Sequence, residues 1–223
     1  MLKSLSFRDP EPLSPSHNRL DAGRLVLHLP GDPHRAPVER YIREIYARRY
    51  GARVPAFAPM LLALQHGDDL LAAAGYRLAK AGPLFLEAYL DRPVEALISA
   101  QTGKVVGREG IVEVGHLATK RGGEGRRLIQ FLGPYLVAEG FQWVVGTVTQ
   151  ELRAMLVRLG VAPLTLGPAD PSSLGGEARH WGTYYEHGPV VLAIHLRRAL
   201  RQYLARHARP GAGGRWWMRG PPW

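Results

Sequence analysis

The chain has 223 residues, 46% hydrophobic and 22% charged, which suffices for one generous domain and excludes disorder throughout. It has no cysteine, and this excludes disulfides, thiolate zinc sites and a cysteine nucleophile. The first 20 residues lack the apolar core of a signal peptide, and no apolar run reaches the ~18 residues of a membrane-spanning helix. These features predict a soluble, cytoplasmic protein.

The net charge of +10 is unevenly distributed along the chain. Seven arginines and no acids follow residue 195, so the preceding residues carry only +3. The segment 197–223, which also contains Trp216, Trp217 and Trp223, is predicted to be a basic tail. Such a tail suits peripheral membrane contact, an acidic protein or nucleic acid, or is simply a solvated end. No recognisable nucleic-acid module accompanies it, so nucleic acid is not favoured as a partner.

The first half of the chain predicts an edge strand, a helix and a hairpin. Residues 24–29 alternate as an edge strand does. A helix is expected to begin at Pro37 and to end before Gly51. Apolar segments at 57–64 and 70–80 flank a turn of His, Gly and Asp residues, which is typical of paired antiparallel strands.

The stretch Ile111 to Gly125 contains the strongest chemical signal. A β-branched run interrupted by Glu113 predicts a buried strand. Glycines and cations follow, and then apolar residues at helical spacing up to Gly140. A glycine loop before a helix presents free backbone N–H groups, so the pattern predicts a phosphate site. The residues predicted to bind the phosphate are Lys120, Arg121, Gly122, Gly123, Gly125 and Arg126. The alternative is an ordinary glycine-rich turn with solvated cations.

The second half predicts a doubly buried strand at 143–148, followed by a short helix. Residues 161–174 are proline-rich and indicate a loop. A final strand pair is expected at 182–186 and 190–196, and a basic helix at 197–207. This order predicts an α+β fold with a central mixed sheet flanked by helices. The predicted domain is 20–196, after a flexible N-terminal segment of residues 1–19.

These residues carry a resemblance to known families. Lys120-x-x-Gly123-x-Gly125 looks like the Q/R-x-x-G-x-G/A pyrophosphate loop of GNAT acyltransferases, with Lys in the first place. Longer stretches, among them IVEVGHLAT (111–119) and WGTYYEHGPVV (181–191), resemble the thermostable-haemolysin family over most of residues 38–195. Members of that family look like GNAT-related enzymes, distantly similar to acyl-homoserine-lactone synthases and N-acyl amino acid synthases. The resemblance implies that the strands at 111–117 and 143–148 are adjacent and parallel, in a sheet that splays near Gly115 to Leu117.

The resemblance implies two functions that conflict. The fold implies an N-acyltransferase that moves an acyl group to a small amine or amino acid. Its co-substrate would be acyl-CoA or the acyl-phosphopantetheine of an acidic acyl-carrier protein, with no permanently bound cofactor. The family name implies a membrane-active haemolysin instead, acting through the Arg/Trp tail. Nothing in the sequence predicts an oligomeric state.

Glu113 is the candidate general base. Acyl transfer to an amine requires a group that removes the ammonium proton, and the resembling synthases also place a Glu on the strand before the phosphate loop. Ile111, Glu113, Gly115 and Leu117 are expected to share one strand face. Gly115 would leave room there for a substrate. The alternative is a structural ion pair with an arginine such as Arg77.

Other candidate residues surround this strand. His116 is a second catalytic candidate. It stands where the resemblance implies Asn, or Arg in the lactone synthases, and so implies a different acceptor if that side chain orients it. The candidate substrate-binding residues are Glu87, Tyr89, Asp91, Tyr184 and Tyr185. The alternatives are an exposed strand end for the carboxylates and core or surface roles for the tyrosines. The sequence has no HExxH or GxSxG motif and predicts neither a metal site nor a serine hydrolase.

Overall fold

A seven-stranded mixed sheet forms the centre of the protein. The computed structural model describes residues 23–207. The strands are β1 (Arg24–His28), β2 (Met60–His66), β3 (Asp69–Leu78), β4 (Ile111–Thr119), β5 (Trp143–Val148), β6 (Leu164–Pro168) and β7 (Val190–His195). Their order across the sheet is β1-β2-β3-β4-β5-β7-β6. Strands β4 and β5 are parallel, and every other pair is antiparallel. The predicted α+β class and the parallel pairing of these two strands are confirmed.

Helices cover both faces of the sheet. They are α1 (Arg35–Tyr50), α2 (Val94–Thr102), α3 (Gly122–Ala138), α4 (Gln150–Arg158) and α5 (Leu196–His207). Buried side chains of α1 and α2 pack on one face, and those of α3 and α5 pack on the other. Two irregular segments complete the first face. They are the 3-10 segment Phe85–Tyr89 and the longer Pro171–His187, here termed the aromatic strap.

The sheet splays open between β4 and β5. The two strands pair over only three positions, ending at Glu113 opposite Val145. Gly146 lies so close to β4 that a Cβ there would be 2.6 Å from the carbonyl oxygen of Val114. Beyond this contact the strands form no further pairs. Gly115 and Thr147 therefore lie on opposite sides of a gap within the sheet.

A β-bulge in β4 lies beside this gap. Gly75 pairs with Gly115, but Ala73 pairs with Ala118, so β4 contains one extra residue. His116 has a φ of 51° and is the one non-glycine residue with positive φ in the described part of the chain. The prediction that Leu117 shares the face of Glu113 is wrong. The extra residue reverses the alternation, and Leu117 packs against the α3 side of the sheet.

Some predicted boundaries also differ from the observed ones. The glycine-rich segment is mostly helical, since α3 begins at Gly122. The predicted loop at 161–174 contains the strand β6, which pairs with β7. The predicted strand at 182–186 belongs to the aromatic strap. Gly182 there has a φ of 53°, so the backbone is not extended. The first hairpin strand begins at Met60 and not at the predicted residue 57, because the proline just before Met60 has no backbone N–H to donate to a strand pair.

The predicted basic helix is present as α5, and it packs against α3. Its apolar residues, including Leu196 and Leu200, face the body of the protein. Arg197, Arg198 and Arg201 are exposed. No helix among residues 23–207 is long and apolar enough to cross a lipid bilayer. The predictions for residues 1–19 and for the tryptophans of the tail lie outside the described residues.

Candidate active site

Two cavities meet where β4 and β5 separate. The loop-side cavity, of about 330 Å³, lies between β4, the start of α3, and α4. The carboxylate cavity, of about 320 Å³, lies between β3, β4, the 3-10 segment and the aromatic strap. The residues that line both cavities are Tyr46, Gly115, His116, Thr147 and Tyr184. Ligands in the two cavities would therefore approach each other at this junction.

A third cavity, of about 180 Å³, lies on the other face of the sheet beneath α3, α4 and α5. Its wall is almost entirely aliphatic, and we term it the apolar cavity. It shares Leu117, Ile129 and Leu152 with the loop-side cavity. A long apolar group could thus extend from the junction into this space.

The loop-side cavity contains a helix N-terminus. Gly122 and Gly125 of α3 line it, together with Arg158 and with Arg49, whose guanidinium is paired with the Glu151 carboxylate in the same wall. The first N–H groups of a helix have no intrahelical acceptor and carry partial positive charge. The Glu124 carboxylate caps part of this end by accepting the N–H of Arg121 (3.1 Å), but no atom lies within 4 Å of where a Cβ at Gly122 would be, so the helix start is open at Gly122. The arrangement suits a phosphate or another anion.

The remaining predicted phosphate residues are not in the cavity wall. Lys120 lies with its Nζ 5.2 Å from the centre of the Tyr41 ring, and its N–H donates to the Tyr41 hydroxyl (3.2 Å). Arg121, Gly123 and Arg126 are exposed. The structure therefore brings two of the six residues into the wall, and phosphate binding by the others stays a prediction.

Glu113 is the buried carboxylate of the carboxylate cavity, with 7% of its surface exposed. Its Oε2 accepts the N–H of Phe85 (2.9 Å) and its Oε1 accepts the N–H of Leu86 (3.0 Å). Arg77 Nε lies 3.4 Å from Oε2. Burial raises the pKa of Glu113 above its ordinary value, although Arg77 and the two N–H groups oppose this. Glu113 is therefore both the candidate base and a member of the ion pair with Arg77 that was the alternative interpretation.

His116 lies at the junction with one nitrogen bonded and the other enclosed. Its Nε2 donates to the Ala56 carbonyl (3.2 Å). Its Nδ1 is buried without a hydrogen-bond partner among residues 23–207, and a Cβ at Gly75 would lie 2.9 Å from it. Burial lowers the His116 pKa to about 4, so the ring is neutral at pH 7. A catalytic role stays a prediction, and the enclosed lone pair favours positioning over proton transfer.

The two carboxylates predicted to hold an amine line neither cavity. Glu87 accepts hydrogen bonds from both Nη atoms of Arg108 (2.7 Å each) and from two backbone N–H groups. The Arg108 guanidinium holds the Glu87 pKa at about 2. The side chain of Asp91 is 80% exposed, with Arg92 3.8 Å away. These contacts give Glu87 a structural role, and no contact of Asp91 points to a ligand.

The three predicted tyrosines all line the carboxylate cavity. The hydroxyls of Tyr89 and Tyr185 are 2.6 Å apart, and the Tyr184 hydroxyl donates to the Thr147 carbonyl (3.1 Å). Burial raises the pKa of each tyrosine, so the hydroxyls remain protonated at neutral pH. Whether they contact a substrate stays a prediction.

The aromatic strap is held against the end of α1. The N–H of Arg53 donates to the His180 carbonyl (2.7 Å), and the Thr183 hydroxyl donates to the Tyr50 carbonyl (3.3 Å). Gly182 has a φ of 53°, and a Cβ there would lie 1.9 Å from the Tyr50 oxygen. Only glycine allows this approach. The strap thereby carries its aromatic side chains over the carboxylate cavity.

A family comparison covers the whole of this site. The model of the family described as thermostable hemolysin matches residues 28–200, which include the linings of the loop-side and carboxylate cavities and the first five residues of α5. The chain belongs to this family. The resemblance inferred from the sequence is therefore confirmed. No curated protein matches the chain.

Solved structures share the fold of this thermostable hemolysin family member. FeeM, an N-acyl amino acid synthase from uncultured soil microbes, is 17% identical with a TM-score of 0.53, covering 82% of this chain and 97% of FeeM. MesI, a CoA-dependent acyl-homoserine lactone synthase, is 16% identical with a TM-score of 0.52, covering 86% and 100%. The AHL synthase LasI is 15% identical with a TM-score of 0.50, covering 78% and 91%. These likenesses confirm the predicted GNAT-like fold.

Sequence reasoning missed several residues of the site. Thr147 lines both cavities, and its hydroxyl is buried without a hydrogen-bond partner in the part of the chain described. Its signal was a polar residue within the apolar run of β5, as Glu113 is within β4. Trp181 and Arg158 also line the cavities, but neither belongs to a pattern that predicts a site.

Proposed function

We propose that this protein is an N-acyltransferase that moves an acyl group from a CoA or phosphopantetheine thioester to a primary amine or amino acid. The observation that carries the proposal is the meeting of two cavities at Gly115. One cavity contains an open helix N-terminus suited to phosphate, and the other contains a buried carboxylate of raised pKa. Transfer between two bound substrates requires such a shared junction.

The donor is assigned to the loop-side cavity. Its phosphates would lie at the first turn of α3, beside Arg49 and Arg158. Its thioester would lie at the junction, and its acyl chain would enter the apolar cavity past Leu117 and Ile129. The exposed arginines of α5 suit an acidic carrier protein equally well, so both donor types are included.

The chemistry follows from Glu113. Its carboxylate accepts a proton from the acceptor ammonium, and the resulting amine attacks the thioester carbonyl carbon. A C–N bond forms, the C–S bond breaks, and the second nitrogen proton and the thiolate combine to give the free thiol. Burial makes Glu113 a stronger base than an exposed carboxylate. Beyond Glu113 the β4 peptide groups that face the gap lack ladder partners, so an N–H there can stabilise the developing oxyanion.

Thiol release tests the proposal. The protein is mixed with CoA thioesters of increasing chain length, or with acyl-carrier protein, and with a panel of primary amines and amino acids. Because the chain has no cysteine, every thiol detected comes from the donor. We expect amine-dependent thiol release and an amide product by mass spectrometry. Failure of every donor to bind would remove the proposed function.

A charge placed at the start of α3 provides a sharper test. A carboxylate at Gly122 would occupy open space and favour the helix dipole, so Gly122→Asp should fold normally. It would repel the donor phosphates, and we expect the donor KM to rise by at least about tenfold. Gly122→Asn, of nearly equal size and neutral, is the matched control. Equal KM values for the two variants would place the phosphates elsewhere.

Filling the junction should stop transfer without unfolding the protein. No atom lies within 4 Å of a Cβ built on Gly115. Gly115→Val should therefore retain its melting temperature while kcat falls at least about tenfold, because the branched side chain separates the two substrates. Gly115→Ala should lose less. A valine variant with full turnover would show that the reacting atoms do not meet at Gly115.

The membrane-active alternative has less support. Leu196, Leu200 and Tyr203 of α5 line the apolar cavity, and Leu204 is the one large apolar residue of this helix that is exposed, so α5 presents no continuous apolar face to solvent. Release of a dye from anionic liposomes, with the whole chain and with a chain lacking residues 208–223, measures this activity directly.

A further inference from the structure

The carboxylate cavity contains a cation that the proposed transfer does not use. Arg77 on β3 lies directly opposite Glu113 on β4 and lines the cavity. Its Nε lies 3.4 Å from Glu113 Oε2, so the two side chains form an ion pair. The two Glu113 oxygens already accept the N–H groups of Phe85 and Leu86. Among residues 23–207 the Arg77 side chain makes this ion pair but no hydrogen bond, and it is 30% exposed, so its Nη atoms can bind a ligand in the cavity.

An adjacent guanidinium and carboxylate match a zwitterionic head group. An α-amino acid carries its carboxylate and its ammonium on one carbon, and a guanidinium binds a carboxylate through two parallel hydrogen bonds. We propose that the acceptor is an α-amino acid whose carboxylate is bound by Arg77 while its ammonium faces Glu113. This inference rests on the proposed function and names the acceptor class. Arg77 is then a specificity-determining residue.

The rest of the cavity selects the amino acid side chain. The aromatic rings in its wall belong to Tyr46, Phe85, Tyr89, Trp181, Tyr184 and Tyr185. Three of their hydroxyls are already bonded within the protein, since Tyr89 and Tyr185 pair and Tyr184 donates to a backbone carbonyl. Apart from Arg77, Glu113 and the exposed Glu177, the wall therefore presents mainly ring surface. Such a wall favours a large apolar or aromatic side chain over a charged one.

The test compares acceptors that differ only in the carboxylate. Thiol release is measured with L-phenylalanine, L-phenylalaninamide and 2-phenylethylamine at saturating acyl-CoA. We expect kcat/KM for phenylalanine to exceed that for either of the other two by at least about tenfold, the value of a charge-assisted pair. L-Glutamate and L-lysine should be poor acceptors.

Arg77→Met identifies the residue responsible. The ratio of kcat/KM for phenylalanine to that for 2-phenylethylamine should fall toward one, and Arg77→Lys should give an intermediate ratio because it retains charge without the planar fork. The ratio is independent of how much protein is folded. An unchanged ratio in Arg77→Met would overturn the assignment of Arg77.

The outcomes separate this inference from the proposed function. If the wild-type protein uses 2-phenylethylamine as well as phenylalanine, the amino acid inference fails while acyl transfer stands. If lysine or glutamate is preferred to phenylalanine, the side-chain inference fails. If no amine or amino acid releases thiol above the rate of hydrolysis, the proposed function fails and this inference fails with it.

Discussion

We expect Glu113→Gln to lower kcat/KM by about 10²–10⁴-fold, the usual contribution of a general base. The amide keeps the volume of the side chain and removes its proton acceptor. Donor affinity should change little, because the phosphate site is at the start of α3 and not on this face of β4. Steady-state thiol release and donor titration measure the two quantities separately.

Glu113→Gln should also lower the stability of the fold, for a reason that the sequence of β4 alone does not reveal. Both oxygens of Glu113 accept backbone N–H groups, and glutamine offers only one oxygen. One buried N–H is left unsatisfied, and stability should fall by about 1–3 kcal/mol. Activity must therefore be measured well below the melting temperature. Wild-type turnover by a folded Glu113→Gln protein would remove Glu113 as the base.

The pH profile gives an independent check on Glu113. The base must be deprotonated, so kcat/KM should rise with pH through a pKa above the ordinary value of 4.5, because burial raises it. The contribution of Glu113 to folding stability changes with pH in the opposite direction to kcat/KM. It is present at low pH and is lost as pH rises through the raised pKa of Glu113. In Glu113→Gln the limb of the rate profile that belongs to Glu113 should disappear.

Among the substitutions proposed here, we expect Arg108→Met to lower the free energy of unfolding most, by about 3 kcal/mol. The Arg108 guanidinium donates to Glu87, to Glu95 and to the carbonyls of Ala79 and Gly82. Its removal leaves two partly buried carboxylates unpaired, which costs about 3–5 kcal/mol when burial is complete. These groups retain some exposure, so the lower end applies. Denaturant unfolding at pH 7 measures the difference.

The pH dependence of this loss identifies its cause. The pairing holds the Glu87 pKa at about 2, so the stability it contributes is present above 4.5 and is lost as pH falls toward 2. The difference in free energy of unfolding between wild type and Arg108→Met should therefore decrease as pH falls from 4.5 toward 2. Arg92→Met is the matched control, because that exposed pair should contribute under 1 kcal/mol. A comparable loss in Arg92→Met would argue against a specific role for Arg108.

Arg108 also connects stability to the site. It binds Glu87 within the 3-10 segment that supplies both N–H groups to Glu113. The sequence motivated interest in Glu87 as a ligand for the acceptor, because a carboxylate among apolar residues suggests a function. In the structure Glu87 binds Arg108 and two backbone N–H groups and so supports the segment that holds Glu113, while acceptor binding by Glu87 stays a prediction. A buried carboxylate carries the same sequence signal in either role, since only its partners differ.

Local patterns in the sequence determined much about this protein. Hydrophobic periodicity and glycine positions predicted the hairpin of β2 and β3 and the strand–helix order around Glu113. The family resemblance implied the parallel pairing of β4 and β5. The family followed from contiguous stretches of sequence. These features depend on neighbouring residues, and neighbouring residues are what a sequence pattern records.

The resemblance implied that the sheet splays near Gly115, but only the tertiary structure decided which residues meet there. The extra residue at His116 is set by pairing with β3, so alternation alone misplaced Leu117. The 182–186 segment has β-forming residues, yet its glycines and its contacts with α1 make it the aromatic strap. Arg77 and Glu113 are 36 positions apart in the chain, and they form an ion pair at the cavity only because β3 and β4 place them opposite each other. Contacts of this kind depend on distant parts of the chain, and no local pattern encodes them.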